Sequence, residues 1–140
     1  MRILFSILSL LLLSFIPTSE TFNLTVKIYS IENNKGVIEL SLYNDPEKFP
    51  KVGKTYRTVR LKPNGSELVH KFSNLPKGEY AVCLYHDENA NKTCDKNFIG
   101  VPTEAYAFSN DIRPKLSAPD FSSCSMLLNK NRSISIKLVY

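Results

Sequence analysis

Apolar side chains recur at every second position along several stretches of this chain of 140 residues. Successive side chains of a strand point to opposite faces, so a period of two predicts strands that bury one face. The stretch after residue 19 has no helical period, and an all-β fold is therefore predicted. The alternating residues are Phe22, Leu24, Val26 and Ile28 near the start, Tyr80, Val82, Leu84 and His86 in the middle, and Ile134, Ile136, Leu138 and Tyr140 at the end.

Turn residues divide these stretches into about seven strands. Asn64-Gly65 is typical of a tight turn because both residues tolerate positive φ angles. We therefore predict one hairpin from residues 22–30 and 37–43, and a second from residues 56–61 and 67–72. Further strands are predicted at residues 80–86, 121–128 and 133–140. The predicted fold is a single antiparallel β-sandwich of about seven strands, immunoglobulin-like in class.

The N-terminus has the layout of a signal peptide. Arg2 precedes an apolar run from Ile3 to Ile16, and small polar residues follow it where a peptidase would cut. We expect a signal peptide at residues 1–19 and a β-sandwich domain at residues 20–140. The alternative is an uncleaved anchor, although the run is shorter than the roughly 18 to 20 apolar residues that span a bilayer. The prediction is export to the periplasm, outer surface or extracellular medium, with no transmembrane segment after cleavage.

Charge and cysteine content exclude some classes of function. The chain has 18 Lys and Arg against 13 Asp and Glu, and the basic residues are scattered, so nucleic acid is not an expected partner. An odd number of cysteines allows at most one internal disulfide. Cys94 with Cys124 is the expected pair, and Cys83 is expected to be buried in a strand.

The segment after the central strand has the ligand spacing of a calcium loop. Asp87, Asn89, Asn91 and Asp95 occupy relative places 1, 3, 5 and 9, and the carbonyl of Thr93 falls at place 7. A hard divalent cation prefers six to eight such oxygens. We therefore predict a calcium site at these five residues.

Two positions depart from the calcium pattern. Place 6, normally Gly at a sharp turn, is Lys92, and place 12 is Phe98 in place of a bidentate Glu. The alternative is a turn whose Asx side chains accept hydrogen bonds from their own backbone.

Catalytic residues are not predicted, and the protein is not expected to be an enzyme. His86 adjoins two carboxylates, but neighbours in a strand point to opposite faces and no nucleophile motif accompanies it. A carbohydrate-active or other hydrolase is the alternative. It would need Glu88 and Glu104 facing one cleft at roughly 5 to 10 Å.

Three motifs resemble a known bacterial family. They are Asn-Leu-Pro-Lys-Gly-Glu-Tyr-Ala-Val at residues 74–82, His-Asp-Glu-Asn at residues 86–89, and Gly-Val-Pro-Thr-Glu-Ala-Tyr-Ala-Phe-Ser-Asn at residues 100–110. The chain is similar to the exported proteins grouped as domain of unknown function 2141. The resemblance implies export and a sandwich similar to transthyretin-like and collagen-adhesin B-type modules, and it implies no known activity. Family members usually carry Gly where this chain has Ala90 and Lys92.

The expected function is that of an exported, non-enzymatic module that binds a protein or glycan at the cell envelope, or lends structure there. Long loops on a rigid sheet scaffold are common recognition surfaces, and residues 87–110 are the candidate. His86, Glu104, Tyr106 and Phe108 are its expected binding residues. The alternatives are a calcium-stabilised extracellular domain and a hydrolase.

Overall fold

A computed structural model describes residues 20–114 and 117–140, and the predicted signal peptide lies outside these residues. Strands dominate the described part of the chain. A 3-10 turn at Ser109–Asp111 and a short helix, α1, at Phe121–Cys124 are its helical elements. The strands are β1 Thr21–Tyr29, β2 Val37–Tyr43, β3 Arg57–Leu61, β4 Glu67–Pro76, β5 Gly78–Asp87, β6 Tyr106–Phe108, β7 Met126–Leu128 and β8 Arg132–Lys137.

The strands form two sheets. The smaller has the order β4-β1-β8, and the larger has the order β3-β2-β5-β6, with β7 pairing with the start of β5. The predicted all-β sandwich is confirmed. One pairing, between β1 and β8, is parallel and the others are antiparallel.

The inward faces of the two sheets form one core. Its members are the apolar halves of the alternating stretches, which is why a period of two predicted them. Side chains that face away from this core form the outer surfaces of the sandwich. The core includes Leu24, Val26 and Ile28 of β1, Ile38, Leu40 and Leu42 of β2, Val82 and Leu84 of β5, and Ile136 of β8.

Both predicted hairpins are wrong. β1 pairs with β4 and β8, whereas β2 pairs with β3 and β5, so each predicted pair is split between the two sheets. The turn residues mark where a strand ends but do not decide which strand it joins. In this chain the connections after β1 and after β3 cross from one sheet to the other.

Two further boundaries differ from the prediction. Residues 121–124 are helical, so the predicted strand at 121–128 is reduced to β7. The predicted long loop after Asp87 contains β6, which extends the larger sheet beside β5. Tyr106 and Phe108 therefore belong to a strand and not to a loop.

The turn before β2 packs directly on the end of β5. Gly36 has a φ of +53°, and a Cβ there would lie 1.9 Å from the carbonyl oxygen of Asp87. Any larger residue would push the two segments apart. Gly36 therefore sets how closely β2 begins beside the exit of β5.

The burial of Leu84 predicts that its truncation destabilises the fold more than truncation of an exposed leucine does. Leu84 is buried in the core, and Leu84→Ala should lower the free energy of unfolding by about 2–5 kcal/mol, measured by urea denaturation. The matched control is Leu127→Ala on β7, where the side chain is 47% exposed. Equal losses in the two variants would contradict the assignment of the core.

Candidate binding groove

The end of β5 is organised by a buried carboxylate. The side chain of Asp87 is fully buried and forms an ion pair with Arg60 of β3. It also accepts hydrogen bonds from the backbone N–H of Asn91 at 3.0 Å and of Lys92 at 2.9 Å. Burial disfavours the charged carboxylate, but these three donors outweigh it and hold the pKa of Asp87 below its ordinary value. Asp87 thus fixes the start of the following loop.

The predicted calcium residues come together in that loop as a hydrogen-bonded turn. The side-chain oxygen of Asn89 accepts from the N–H of Asn91, and that of Asn91 accepts from the N–H of Thr93. Their amide nitrogens then donate to the carboxylate of Asp95 at 2.7 to 3.1 Å. These contacts match the predicted alternative, an Asx-rich turn.

One feature of the calcium pattern is nevertheless present in the backbone. Lys92 has a φ of +68°, the left-handed conformation that usually requires Gly at place 6. A cation at this loop would have to compete with Arg60 for Asp87 and with two amide groups for Asp95. Among the described residues, no cluster of three or more His, Cys, Asp or Glu side chains is arranged to hold a metal ion. Calcium binding stays a prediction.

Glu104 closes the base of the same loop. Its two carboxylate oxygens accept the backbone N–H groups of Glu88 and Asp95, each at 3.1 Å. Burial raises the pKa of Glu104 in spite of these bonds. Glu104 therefore ties the two ends of the loop together, and its role as a binding residue stays a prediction.

His86 lies in the interior and not on the loop surface. Its side chain has no exposed area, and its Nε2 donates to the carbonyl oxygen of Lys35 at 2.8 Å. Its Nδ1 faces the hydroxyl of Tyr140 at 2.7 Å, which in turn accepts from the N–H of Glu32. Both ring nitrogens have hydrogen-bond partners within the fold. His86 is therefore not part of the recognition surface, contrary to the prediction.

A groove of about 790 Å³ lies on the outer face of the larger sheet. Alternate residues of β2 and β5 form its floor, and the loops at residues 44–56 and 88–105 stand on either side of it. Their separation along the chain explains why no single stretch of sequence marks the site. The floor includes Glu39, Ser41, Tyr43, Thr58, Cys83, Tyr85, Tyr106 and Phe108.

The polar groups of the floor are mostly paired with one another. Arg60 donates to Glu39 at 2.6 Å, and the hydroxyls of Ser41 and Thr58 lie 3.1 Å apart. Burial, reinforced by the charge of Glu39, raises the pKa of Tyr85 to about 12, so its phenol stays neutral. The floor therefore presents hydroxyl groups, aromatic rings and the carboxylate of Glu39, which shares the charge of Arg60 with Asp87.

Tyr106 and Phe108 line the groove from β6, with their rings 6.0 Å apart. Phe108 is largely buried in an aromatic cluster with Phe49, and Tyr106 is half-buried. A concave surface therefore lies beside both predicted binding residues, at a strand edge and not at a loop tip.

The cysteines do not form the predicted disulfide. Cys83, Cys94 and Cys124 are all free thiols, so the Cys94–Cys124 pairing is wrong. Burial raises the pKa of Cys83 to about 12 and those of Cys94 and Cys124 to about 11, so the nucleophilic thiolate is disfavoured at all three. Cys83 and Cys94 both line the groove as neutral, weakly polar groups.

The structure adds residues that the sequence analysis did not single out. Arg60 forms ion pairs with both Glu39 and Asp87, and the loop that contains Pro50 and Val52 forms one wall of the groove. The alternation in β2 could have indicated an outward polar face, but no local signal pairs Arg60 with a carboxylate 27 residues further on.

The fold and groove define an all-β sandwich with a groove on the outer face of its larger sheet. Residues 26–136 match the family model described as "Uncharacterized protein conserved in bacteria (DUF2141)", and the chain belongs to that family. The search of curated proteins found no match, and neither did the search of solved structures. Across residues 20–114 and 117–140, no helix is long and apolar enough to span a membrane.

The low pKa of Asp87 predicts a pH-dependent contribution to stability. Because the folded-state pKa lies below the unfolded value of about 3.9, the stabilisation is present above that value and is lost as pH falls through the folded pKa. Asp87→Asn should therefore lower the free energy of unfolding near pH 7 by about 2–4 kcal/mol, and the difference should shrink toward pH 3. Urea denaturation from pH 7 to pH 3 measures it.

The control for this series is Asp120→Asn, which changes an exposed carboxylate just before α1. It should leave the free energy of unfolding nearly unchanged over the same range. A difference between Asp87→Asn and the unsubstituted protein that is independent of pH would show that the charge of Asp87 does not stabilise the fold.

Proposed function

We propose that the protein is an exported, non-enzymatic binding module that recognises a protein or glycan at the cell envelope through the groove on its larger sheet. The single observation that carries this proposal is the groove itself, a concavity of about 790 Å³ with an aromatic and hydroxyl-bearing floor. Pockets with mostly apolar linings and a few polar groups are the usual form of ligand sites.

Export is supported by the order of residues at the N-terminus. A basic residue, an apolar run and small polar residues occur in the arrangement that translocation signals share. The three cysteines do not oppose export, because burial raises the pKa of all three thiols. The thiolate, which is the form that oxidants attack, is therefore disfavoured.

A binding role, and not catalysis, is supported by the state of the titratable groups. Glu104 has both oxygens bonded to backbone N–H groups, and Glu39 is paired with Arg60. The thiols of Cys83 and Cys94 are held in their protonated forms by burial. A general base or nucleophile works best as an unpaired, accessible group in the cleft; Glu39 is ion-paired, both thiols are protonated, and Glu104 is not among the residues that line the groove.

The groove's architecture also suits recognition. The floor belongs to paired strands, and one wall is held by Asp87 and Glu104 at its base. A preorganised surface binds with a smaller loss of conformational entropy than a mobile one. Ligand selection would then depend on the floor hydroxyls and on the rings of Tyr85 and Tyr106.

Blocking the groove should abolish ligand binding without unfolding the protein. Thr58 is exposed on the edge strand β3 and lines the groove, so Thr58→Trp should fill part of it. We expect the ligand-induced rise in melting temperature, screened against envelope glycans and envelope protein extracts, to be lost in this variant.

The control is Ser133→Trp, which places the same bulk at an exposed position of β8 in the other sheet. It should retain the ligand-induced rise. If the ligand-induced rise in melting temperature is the same in both variants, the groove is not the binding site. If no ligand in the panel raises the melting temperature of the unsubstituted protein, the result counts against a binding module.

Calcium is a second candidate, favoured by the left-handed conformation of Lys92 at place 6 of the loop. A cation that binds only the folded state must raise its melting temperature, by an amount that grows with its concentration. Millimolar calcium should therefore raise the melting temperature relative to chelator, and Asp95→Asn should remove the effect. Melting curves that overlay with calcium and with chelator would eliminate a calcium-stabilised domain.

A further inference from the structure

Two loop tips beside the groove expose apolar side chains to solvent. The first tip, residues 51–54, carries Val52 with 94% of its surface exposed. The second tip, residues 96–101, carries Phe98 and Ile99, which are 100% and 68% exposed. Exposed large apolar residues that cluster on one surface mark interaction sites more often than isolated ones do.

Lysines surround both tips. Lys51 and Lys54 flank Val52, and Lys92 and Lys96 precede Phe98, all four with exposed side chains. Within residues 20–114 and 117–140, none of the four lies within ion-pair distance of a carboxylate. These tips therefore combine apolar groups with uncompensated positive charge.

The carboxylates of the same two loops lie outside the tips. Residues 51–54 and 96–101 contain Lys51, Lys54 and Lys96 and no Asp or Glu. Asp95 keeps its charge beside Lys96, because its hydrogen bonds come from neutral amide groups. The two tips are therefore positive, whereas the loops at residues 44–56 and 88–105 taken whole carry equal numbers of acidic and basic residues.

Both tips stand beside one groove. Val52 and Gly53 of the first tip line it from one side, and Ile99 and Val101 of the second line it from the other. The two apolar tips are thus presented on the outer face of the same sheet and can reach a single surface. Separate tips on either side of a recess cover little continuous apolar area, whereas a stable protein interface needs a packed patch of about 1,000 Å² or more.

We propose that the two tips dock the protein on the surface of an anionic lipid bilayer. Apolar side chains with adjacent lysines match the chemistry of such a surface: the apolar groups enter the boundary between headgroups and acyl chains, and the lysines lie among anionic headgroups. The charge complementarity favours a lipid surface over a neutral partner. This inference goes beyond the proposed function, because it does not depend on which ligand enters the groove.

Docking in this orientation would restrict what the groove can bind. With both tips in contact with the bilayer, the groove between Val52 and Ile99 opens toward the headgroups. Its ligand would then be a segment of a membrane protein or a membrane-linked glycan. Membrane contact would supply part of the binding free energy by confining both partners to one surface.

The test is sedimentation with vesicles of phosphatidylcholine alone and of phosphatidylcholine with phosphatidylglycerol. The protein is recovered after export, and mass spectrometry confirms its N-terminus, because the apolar run at residues 3–16 would bind vesicles by itself. We expect binding to the anionic vesicles only, weakening as salt rises. The double variant Phe98→Ser with Ile99→Ser should bind at least about tenfold more weakly.

Matched controls separate the tips from general surface chemistry. Val69→Ser alters a side chain that is 60% exposed on β4 of the other sheet, and it should leave vesicle binding unchanged. Lys92→Gln with Lys96→Gln should weaken binding about tenfold, whereas Lys71→Gln with Lys130→Gln should not. Only variants whose melting temperature equals that of the unsubstituted protein are compared.

Three results would overturn the proposal. The first is no binding to anionic vesicles, and the second is an equal loss of vesicle binding in the tip and Val69 variants. The third is binding to envelope vesicles that is abolished by protease treatment, together with no binding to vesicles of pure lipid. The last would assign the tips to a protein partner. The Thr58→Trp variant distinguishes this failure from that of the groove, since it should lose its ligand while keeping vesicle binding.

Discussion

The buried carboxylate of Asp87 is the contact on which the rest of the site depends. It sits where β5 leaves the larger sheet, and its oxygens accept from Arg60 of β3 and from the backbone of the following loop. A buried charge without partners would cost several kcal/mol, and these donors together offset that cost. The same residue thereby joins a sheet edge, a strand end and one wall of the groove.

The alternation of apolar residues was enough to predict the class of fold, because half-buried strands have to repeat with a period of two. Strand β2 and the core side chains of β1 and β8 followed from it. Strand pairing could not be predicted in this way. The turn at Asn64-Gly65 is compatible with a hairpin, but β3 pairs with β2 in one sheet and β4 pairs with β1 in the other. Which strand each one joins depends on contacts between residues that are distant in sequence.

The Asx-rich loop was found from spacing alone, because its hydrogen bonds join residues two to six positions apart. Whether such a loop closes on itself or on a cation depends on what faces it from elsewhere in the fold. Arg60 supplies a positive charge at the place where a cation would compensate Asp87, and nothing in the local sequence indicates that it does so. The groove was missed for the same reason, since its floor draws residues from four strands.

The second loop combines a fixed base with an exposed tip, and the two properties depend on each other. Asp87 and Glu104 bind the ends of the loop through backbone N–H groups, while Phe98 makes no buried contact at its tip. An exposed phenylalanine on a mobile loop could be withdrawn by collapse onto the nearest apolar surface. Hydrogen bonds at the base favour one loop conformation over a collapsed one, and the nearby lysines offset the cost in solubility of an exposed ring. Because Phe98 is fully exposed and packs against nothing in the fold, the function of the loop has to be sought in what its tip meets.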